Sequence, residues 1–116
     1  MTIADILRDS NYSISLFTDK EINQLEADIL FREVKGKKTP YLKCVIRNKE
    51  IKLNPEEIVR QLYVKRLLNL YKYEQQLIHF EVGINFGIEV KRADIVVYDK
   101  NRQDAPYIIV ELKNLN

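Results

Sequence analysis

The stretch between residues 92 and 113 places the tightest constraint on how this chain can fold. Ala93-Asp94-Ile95-Val96-Val97-Tyr98 and Tyr107-Ile108-Ile109-Val110-Glu111-Leu112-Lys113 are two runs rich in β-branched and aromatic side chains, separated by a polar segment ending at Pro106. That pattern predicts a β-hairpin. Positions 94 and 111 are equidistant from the middle of the turn, near Arg102 and Gln103, so a symmetric antiparallel register sets Asp94 opposite Glu111. Directly opposed residues have Cβ atoms about 5 Å apart. Two carboxylates at that separation repel unless something positive lies between them, and a divalent cation is the usual solution. Glu111 and Lys113 share one strand face while Leu112 points to the other. Ile108-Ile109-Val110 reads as a strand buried on both faces, so these charges are expected where a central strand leaves the core.

The rest of the composition narrows the chemistry. At 116 residues the chain is at most one domain, read here as an N-terminal helical segment (1–40), a hairpin (41–53) and a core (55–116). No window approaches the roughly 18 uninterrupted apolar residues of a membrane helix. The start lacks a basic and an apolar signal region, and the single cysteine, Cys44, excludes an internal disulfide, which together predict a cytoplasmic protein. The single histidine, His79, leaves histidine-based metal clusters poorly supplied and reads as a turn or hydrogen-bonded residue. Carboxylates and lysines remain as the catalytic options. Three glycines, at 36, 83 and 87, fit neither a P-loop nor a dinucleotide fingerprint. The net charge is only +2, but lysines and arginines cluster between residues 35 and 52; a surface facing phosphates and a set of solvated lysines are both open readings.

Taken in order, residues 1–12 show no sustained period and read as loosely held. Thr18 with Glu21 three residues on forms a capping box, and Ile22, Leu25, Ile29 and Leu30 at helical spacing predict a helix ending near Arg32. Residues 35–40 read as a basic turn. Residues 41–53 read as a hairpin around Asn48-Lys49, with Leu42, Cys44 and Ile46 on one face. Asn54-Pro55-Glu56-Glu57 opens a second helix, over 55–71, whose apolar face carries Ile58, Val59, Leu62, Tyr63, Leu67 and Leu70. Helical geometry sets Glu56 at the edge of that face and turns Glu57 away from it. The alternation from Leu77 to Val90 predicts a strand, or a strand pair broken at Gly83 or Gly87. The expected class is α/β, of the α+β mixed-sheet kind, in the order α-β-β-α-β-β-β.

Asp94 and Glu111 offer hard oxygen ligands suited to Mg²⁺, for which Mn²⁺ can substitute, and Leu112 could add its backbone carbonyl. Lys113 would stand beside that metal, able to orient or deprotonate an attacking water. This is equipment for metal-assisted phosphodiester hydrolysis.

The same residues carry a family resemblance. Pro55-Glu56-Glu57-Ile58-Val59-Arg60-Gln61-Leu62, then Phe86-Gly87, then Lys91-Arg92-Ala93-Asp94-Ile95-Val96-Val97-Tyr98 and Tyr107-Ile108-Ile109-Val110-Glu111-Leu112-Lys113 resemble the N-terminal nuclease domain of the R subunit of type I restriction-modification enzymes, a PD-(D/E)XK nuclease. Similarity extends over about residues 14–113. The resemblance implies a restriction-endonuclease-like core, Asp94 and Glu111 as metal ligands, Lys113 as the catalytic lysine and Glu56 as a helix acid near the metal. It implies cleavage of double-stranded DNA, within a larger subunit whose ATP-driven translocase follows this domain, assembled with modification and specificity subunits. Ala93 stands where the wider superfamily often has proline. The family continues past the position of Asn116 into a helix bearing a Gln-x-x-x-Tyr motif, so the expectation is a core incomplete at its C-terminus, without an ATP site, and prone to self-association through an uncovered sheet edge or helix face. The alternative expectation is a non-catalytic module that keeps the fold to bind DNA or a partner protein.

Overall fold

The computed structural model describes residues 2–112. The elements in chain order are α1 (Ile3–Leu7), α2 (Asp19–Ala27), β1 (Leu30–Val34), β2 (Lys37–Cys44), β3 (Lys49–Lys52), α3 (Pro55–Asn69), β4 (Ile78–Phe86), β5 (Glu89–Tyr98) and β6 (Pro106–Val110), with one 3₁₀ turn, Gln75–Leu77, before β4. The fold is α+β, and its order is consistent with the expected α-β-β-α-β-β-β, to which α1 and β1 are added. Its strands divide between two antiparallel sheets of three, β1-β2-β3 and β4-β5-β6, each a meander of sequence neighbours. No helix among the described residues is long and apolar enough to cross a membrane.

The segment before Thr18 is more ordered than its sequence suggested. Thr2 and Asp5 form a capping box on α1, and Ile3 is fully buried. α2 starts as expected, with Thr18 accepting from Glu21 N–H (3.2 Å), but ends at Ala27. Leu30 and Phe31, which extend the helical spacing, instead enter β1 and pair with Tyr41 and Pro40. What separates the two readings is the turn that follows: Lys35 and Gly36 both take positive φ (51° and 78°), the conformation of a two-residue hairpin loop, and commit both flanks to strand. The expected basic turn over 35–40 is therefore only two residues long. Asn48 also takes a positive φ (53°), in the β2–β3 turn where it was expected.

α3 joins the two halves. Asn54 caps it, accepting from Glu57 N–H (2.8 Å), and Pro55 occupies its first turn. Its Ile58, Val59 and Leu62 pack with Ile3, Leu25, Leu42 and Leu53 in one buried cluster. Val64 and Leu67, farther along, pack with Leu77, Ile78, Ile95 and Val97 in a second. Tyr63 touches both. The break in the 77–90 alternation falls at Gly87 (φ 66°), while Gly83 stays within β4, where an added Cβ would lie 3.2 Å from Val90 Cγ1. The strand buried on both faces is β5, with Ile95, Val96 and Val97 fully buried. The expectation of a central strand at Ile108-Ile109-Val110 is corrected: among the described residues β6 pairs only with β5, at the edge of the sheet, and Ile109 is 44% exposed.

Arg66 fastens α3 to α2. Its guanidinium binds both carboxylate oxygens of Glu21 (2.9 and 2.7 Å), donates to Leu16 O (2.7 Å) and stacks over Phe17, 4.5 Å from the ring centroid. The Arg66 hydrogen bonds, joined by the Thr18 N–H, outweigh burial and hold the Glu21 carboxyl down from its ordinary 4.5 to about 2. A depressed folded-state pKa stabilises above the unfolded value and loses that contribution as pH falls through the folded one. Glu21→Gln keeps an acceptor for the Thr18 N–H but removes the charge, so it should cost about 1 kcal/mol at neutral pH, from the ion pair with Arg66. The gap between wild type and variant, followed by urea unfolding, should close as pH drops from about 5 towards 2.

Candidate acid cluster at the end of the second sheet

The pairings Ile95↔Val110, Val96↔Ile109 and Val97↔Ile108 run in the register expected from the sequence, and a shift at Val97/Tyr98 absorbs the asymmetry of the turn. Continued one step beyond β6, this register sets Glu111 across from Asp94. Asp94 Oδ2 accepts the Leu112 N–H at 2.7 Å, so the acid ties down the chain just past the strand, and the Leu112 side chain turns to the first hydrophobic cluster. Glu111 is exposed. Lys113 lies outside the described residues.

The other oxygen of Asp94 faces Arg60. This guanidinium, 3% exposed, is the centre of the cluster: Nη2 lies 3.5 Å from Asp94 Oδ1, 3.7 Å from Glu56 Oε1 and 3.9 Å from Glu81 Oε1, while Nη1 binds Glu57 Oε1. Asp94 and Glu56 are thus brought to one cation. The expected orientation of the helix acids is corrected. Glu57 is the buried one, holding Arg47 through two hydrogen bonds (2.9 and 3.2 Å) as well as Arg60, while the Glu56 side chain is 41% exposed at the rim. Rotation about α3 alone places Glu57 away from the apolar face; Arg47, arriving from the β2–β3 turn, is what encloses it.

No sequence signal singles out Glu81, which sits inside an alternating strand and looks like a solvent-facing residue. Its φ of 55° is left-handed, a strained value for a non-glycine residue in a strand. Phe80↔Ile95 and Val82↔Ala93 pair on either side of it, so Glu81 lies across from Asp94 on β5. Its second oxygen reaches Arg92 at 3.5 Å. Phe80 floors the site: Arg47 and Arg60 lie 4.7 and 5.4 Å from its ring centroid. Tyr12 belongs here as well; burial first, then the charges of Glu56 and Asp94, push its phenol above the usual tyrosine range. No local signal marks Tyr12 in the sequence. His79 is at the start of β4, donating from Nε2 to Gln76 O at 3.1 Å, a hydrogen-bonded turn residue as expected.

Four carboxylates thus face three guanidinium groups, before Glu111 is counted, in a surface that retains a negative surplus. Hard oxygen donors in this number suit a divalent cation of the magnesium type, which takes one or two carboxylates and completes its shell with water and phosphate oxygens. Among the described residues no three His, Cys, Asp or Glu side chains close on a point as metal ligands, since Arg60 holds the central position. A separate groove of about 720 Å³ between α2 and α3, lined by Gln24, Asp28, Lys65 and Asn69, shares no residue with the cluster.

Comparison with known proteins gives one match. Residues 55–116, which contain every residue of the acid cluster except Arg47 and Tyr12, match the family model described as type I restriction enzyme R protein N terminus. No curated protein and no solved structure matches the chain.

Proposed function

The chain belongs to the type I restriction enzyme R protein N-terminus family, and from that premise we propose that it is a Mg²⁺-dependent endonuclease domain that cleaves the backbone of double-stranded DNA. The observation that carries the reading is the convergence of Asp94, Glu56 and Glu81 on one buried cation at the end of β5, with the Leu112 backbone N–H, next to Glu111, anchored on Asp94 itself. Asp94 and Glu111 would hold the metal, with the Leu112 carbonyl as a further oxygen ligand and Glu56 as the helix acid beside it. The bound ion would polarise the scissile phosphate and lower the pKa of a coordinated water. Lys113 would orient that water and offset charge on the transition state. Arg60 would keep the acids gathered when no metal is bound, lowering their mutual repulsion. The modification and specificity subunits and an ATP-driven translocase would be the partners of the complete R subunit, in the cytoplasm, with target choice made outside this domain.

Supercoiled plasmid provides the test. The chain with Mg²⁺ or Mn²⁺ should convert it to nicked and linear forms, and a chelator should stop the reaction; metal-independent nicking, or none at any metal concentration, would contradict the reading. The second reading, a non-catalytic module that binds DNA or a partner protein, is favoured by one observation: the Arg60 guanidinium itself occupies the centre of the acids. Under it the chain would bind its partner without nicking and without a metal requirement.

A further inference from the structure

Charge is distributed unevenly along this chain. Residues 30–52 hold eight basic and two acidic side chains, a net +6 in a chain whose total is +2, so the remainder carries −4. These residues form the first sheet, which lies outside the segment matched to the family. Among the described residues β3 pairs only with Tyr41–Cys44, so β1 and the first half of β2 continue beyond it as a two-stranded ribbon tipped by Lys35-Gly36. Every residue from 30 to 38 is exposed. The long axis of the molecule is 45 Å against 30 and 28 Å for the others, and its radius of gyration, 15.2 Å, exceeds the roughly 13 Å of a compact chain of similar size.

A ribbon with both faces in water gains little from its own packing. What it presents is positive charge. Among the described residues no carboxylate lies within ion-pair distance of Lys35, Lys37 or Lys38; Lys38 sits 4.6 Å over the Phe31 ring, and Arg32 is shared between Glu50 and the face of Tyr41. Two strands about 5 Å apart make an element narrow enough for a DNA major groove about 12 Å wide, which admits a β-ribbon. We propose that the β1–β2 ribbon is a contact arm for duplex DNA, with Lys35, Lys37 and Lys38 on backbone phosphates. The inference rests on the DNA-cleaving reading above and extends it to a surface outside the acid cluster. The same strand links the two: β2 starts at the ribbon tip, and the turn after its other end delivers Arg47 to Glu57. From Lys37 to Cys44 β2 rises about 24 Å, or about seven base pairs of a duplex that rises about 34 Å per turn. The arm would therefore grip DNA well away from the scissile bond.

Fluorescence anisotropy with a labelled 30-base-pair duplex in chelator reads this arm without cleavage. Each lysine lost from a phosphate contact lowers the slope of log K against log salt by about one. The triple variant Lys35→Gln, Lys37→Gln, Lys38→Gln should lose about three from that slope and bind at least tenfold more weakly at 0.1 M salt, with unchanged circular dichroism; Lys100→Gln with Arg102→Gln, on the β5–β6 turn, should leave the slope within about one of wild type. An unchanged slope and affinity in the triple variant would overturn the arm, as would poly-glutamate binding as tightly as the duplex, which would point to an acidic protein partner. Neither result would touch the nuclease reading, which stands or falls separately on metal-dependent nicking.

Discussion

Glu57→Ala is expected to destabilise the fold by about 3–5 kcal/mol, the range for removing one partner from a buried ionic network. The carboxylate accepts from Arg47 at 2.9 and 3.2 Å and from Arg60 as well, and the side chains of all three residues are largely shielded from water. Alanine would leave two guanidinium groups beside the Phe80 ring with one carboxylate fewer, and would release the β2–β3 turn from the start of α3. Glu56→Ala, one residue earlier, should cost about 0.5 kcal/mol, since its carboxylate meets Arg60 in a 3.7 Å ion pair at the half-exposed rim. Urea unfolding of the two variants side by side measures the contrast. Equal effects would mean that Arg47 and Arg60 are adequately neutralised without Glu57.

The second large effect is on chemistry. On the proposed reading, Asp94→Ala should weaken Mn²⁺ binding at least tenfold by calorimetry and reduce nicking by about 100-fold or more, given the several kcal/mol a metal contributes to the transition state and the 1.36 kcal/mol that corresponds to each tenfold in rate. Because the Asp94 carboxylate also accepts the Leu112 N–H, Asp94→Asn is the companion variant: it keeps an acceptor for that bond and removes the charge. It should still fold, less stable than wild type because the charge beside Arg60 is lost, and bind metal at least tenfold more weakly. Lys113→Ala should separate the two functions, losing nicking to a similar degree with metal binding intact. Metal affinity unchanged in both Asp94 variants would remove Asp94 from the metal site.

Some of this was legible in the sequence for definite reasons. The Asp94–Glu111 register follows from counting outward from a turn, and it survived a bulge at Val97/Tyr98 because the bulge lies on the turn side of the matched pairs. The helix opening at Asn54-Pro55 was legible because capping is local chemistry. The errors arose where long-range contacts decide. Ile29-Leu30 continues a helical period, and only the positive-φ pair at Lys35-Gly36 and the partner strand turn Leu30 into β1. Glu57 looks solvent-facing on a helical wheel until Arg47 is brought in from another element. Arg60 reads as an ordinary helix arginine; its central position depends on Glu81 and Asp94 meeting across a strand pair that sequence spacing near Gly83 and Gly87 left ambiguous. Ile108-Ile109-Val110 has the composition of a central strand, but composition does not record whether a neighbour pairs with its outer side.

The topology of the two meanders also bears on how the molecule comes together. Every strand pair, β1 with β2, β2 with β3, β4 with β5 and β5 with β6, joins elements adjacent in the chain, so each sheet can zip outward from its own turns without waiting for a distant segment. Such local closure costs little loop entropy and favours rapid folding. Neither sheet alone assembles the acid cluster, however, since Glu56, Glu57 and Arg60 reside on α3, Arg47 follows β2, and Asp94 and Glu81 belong to the second sheet. The cluster is complete only when α3 is docked against both halves, so its integrity is a readout of that docking.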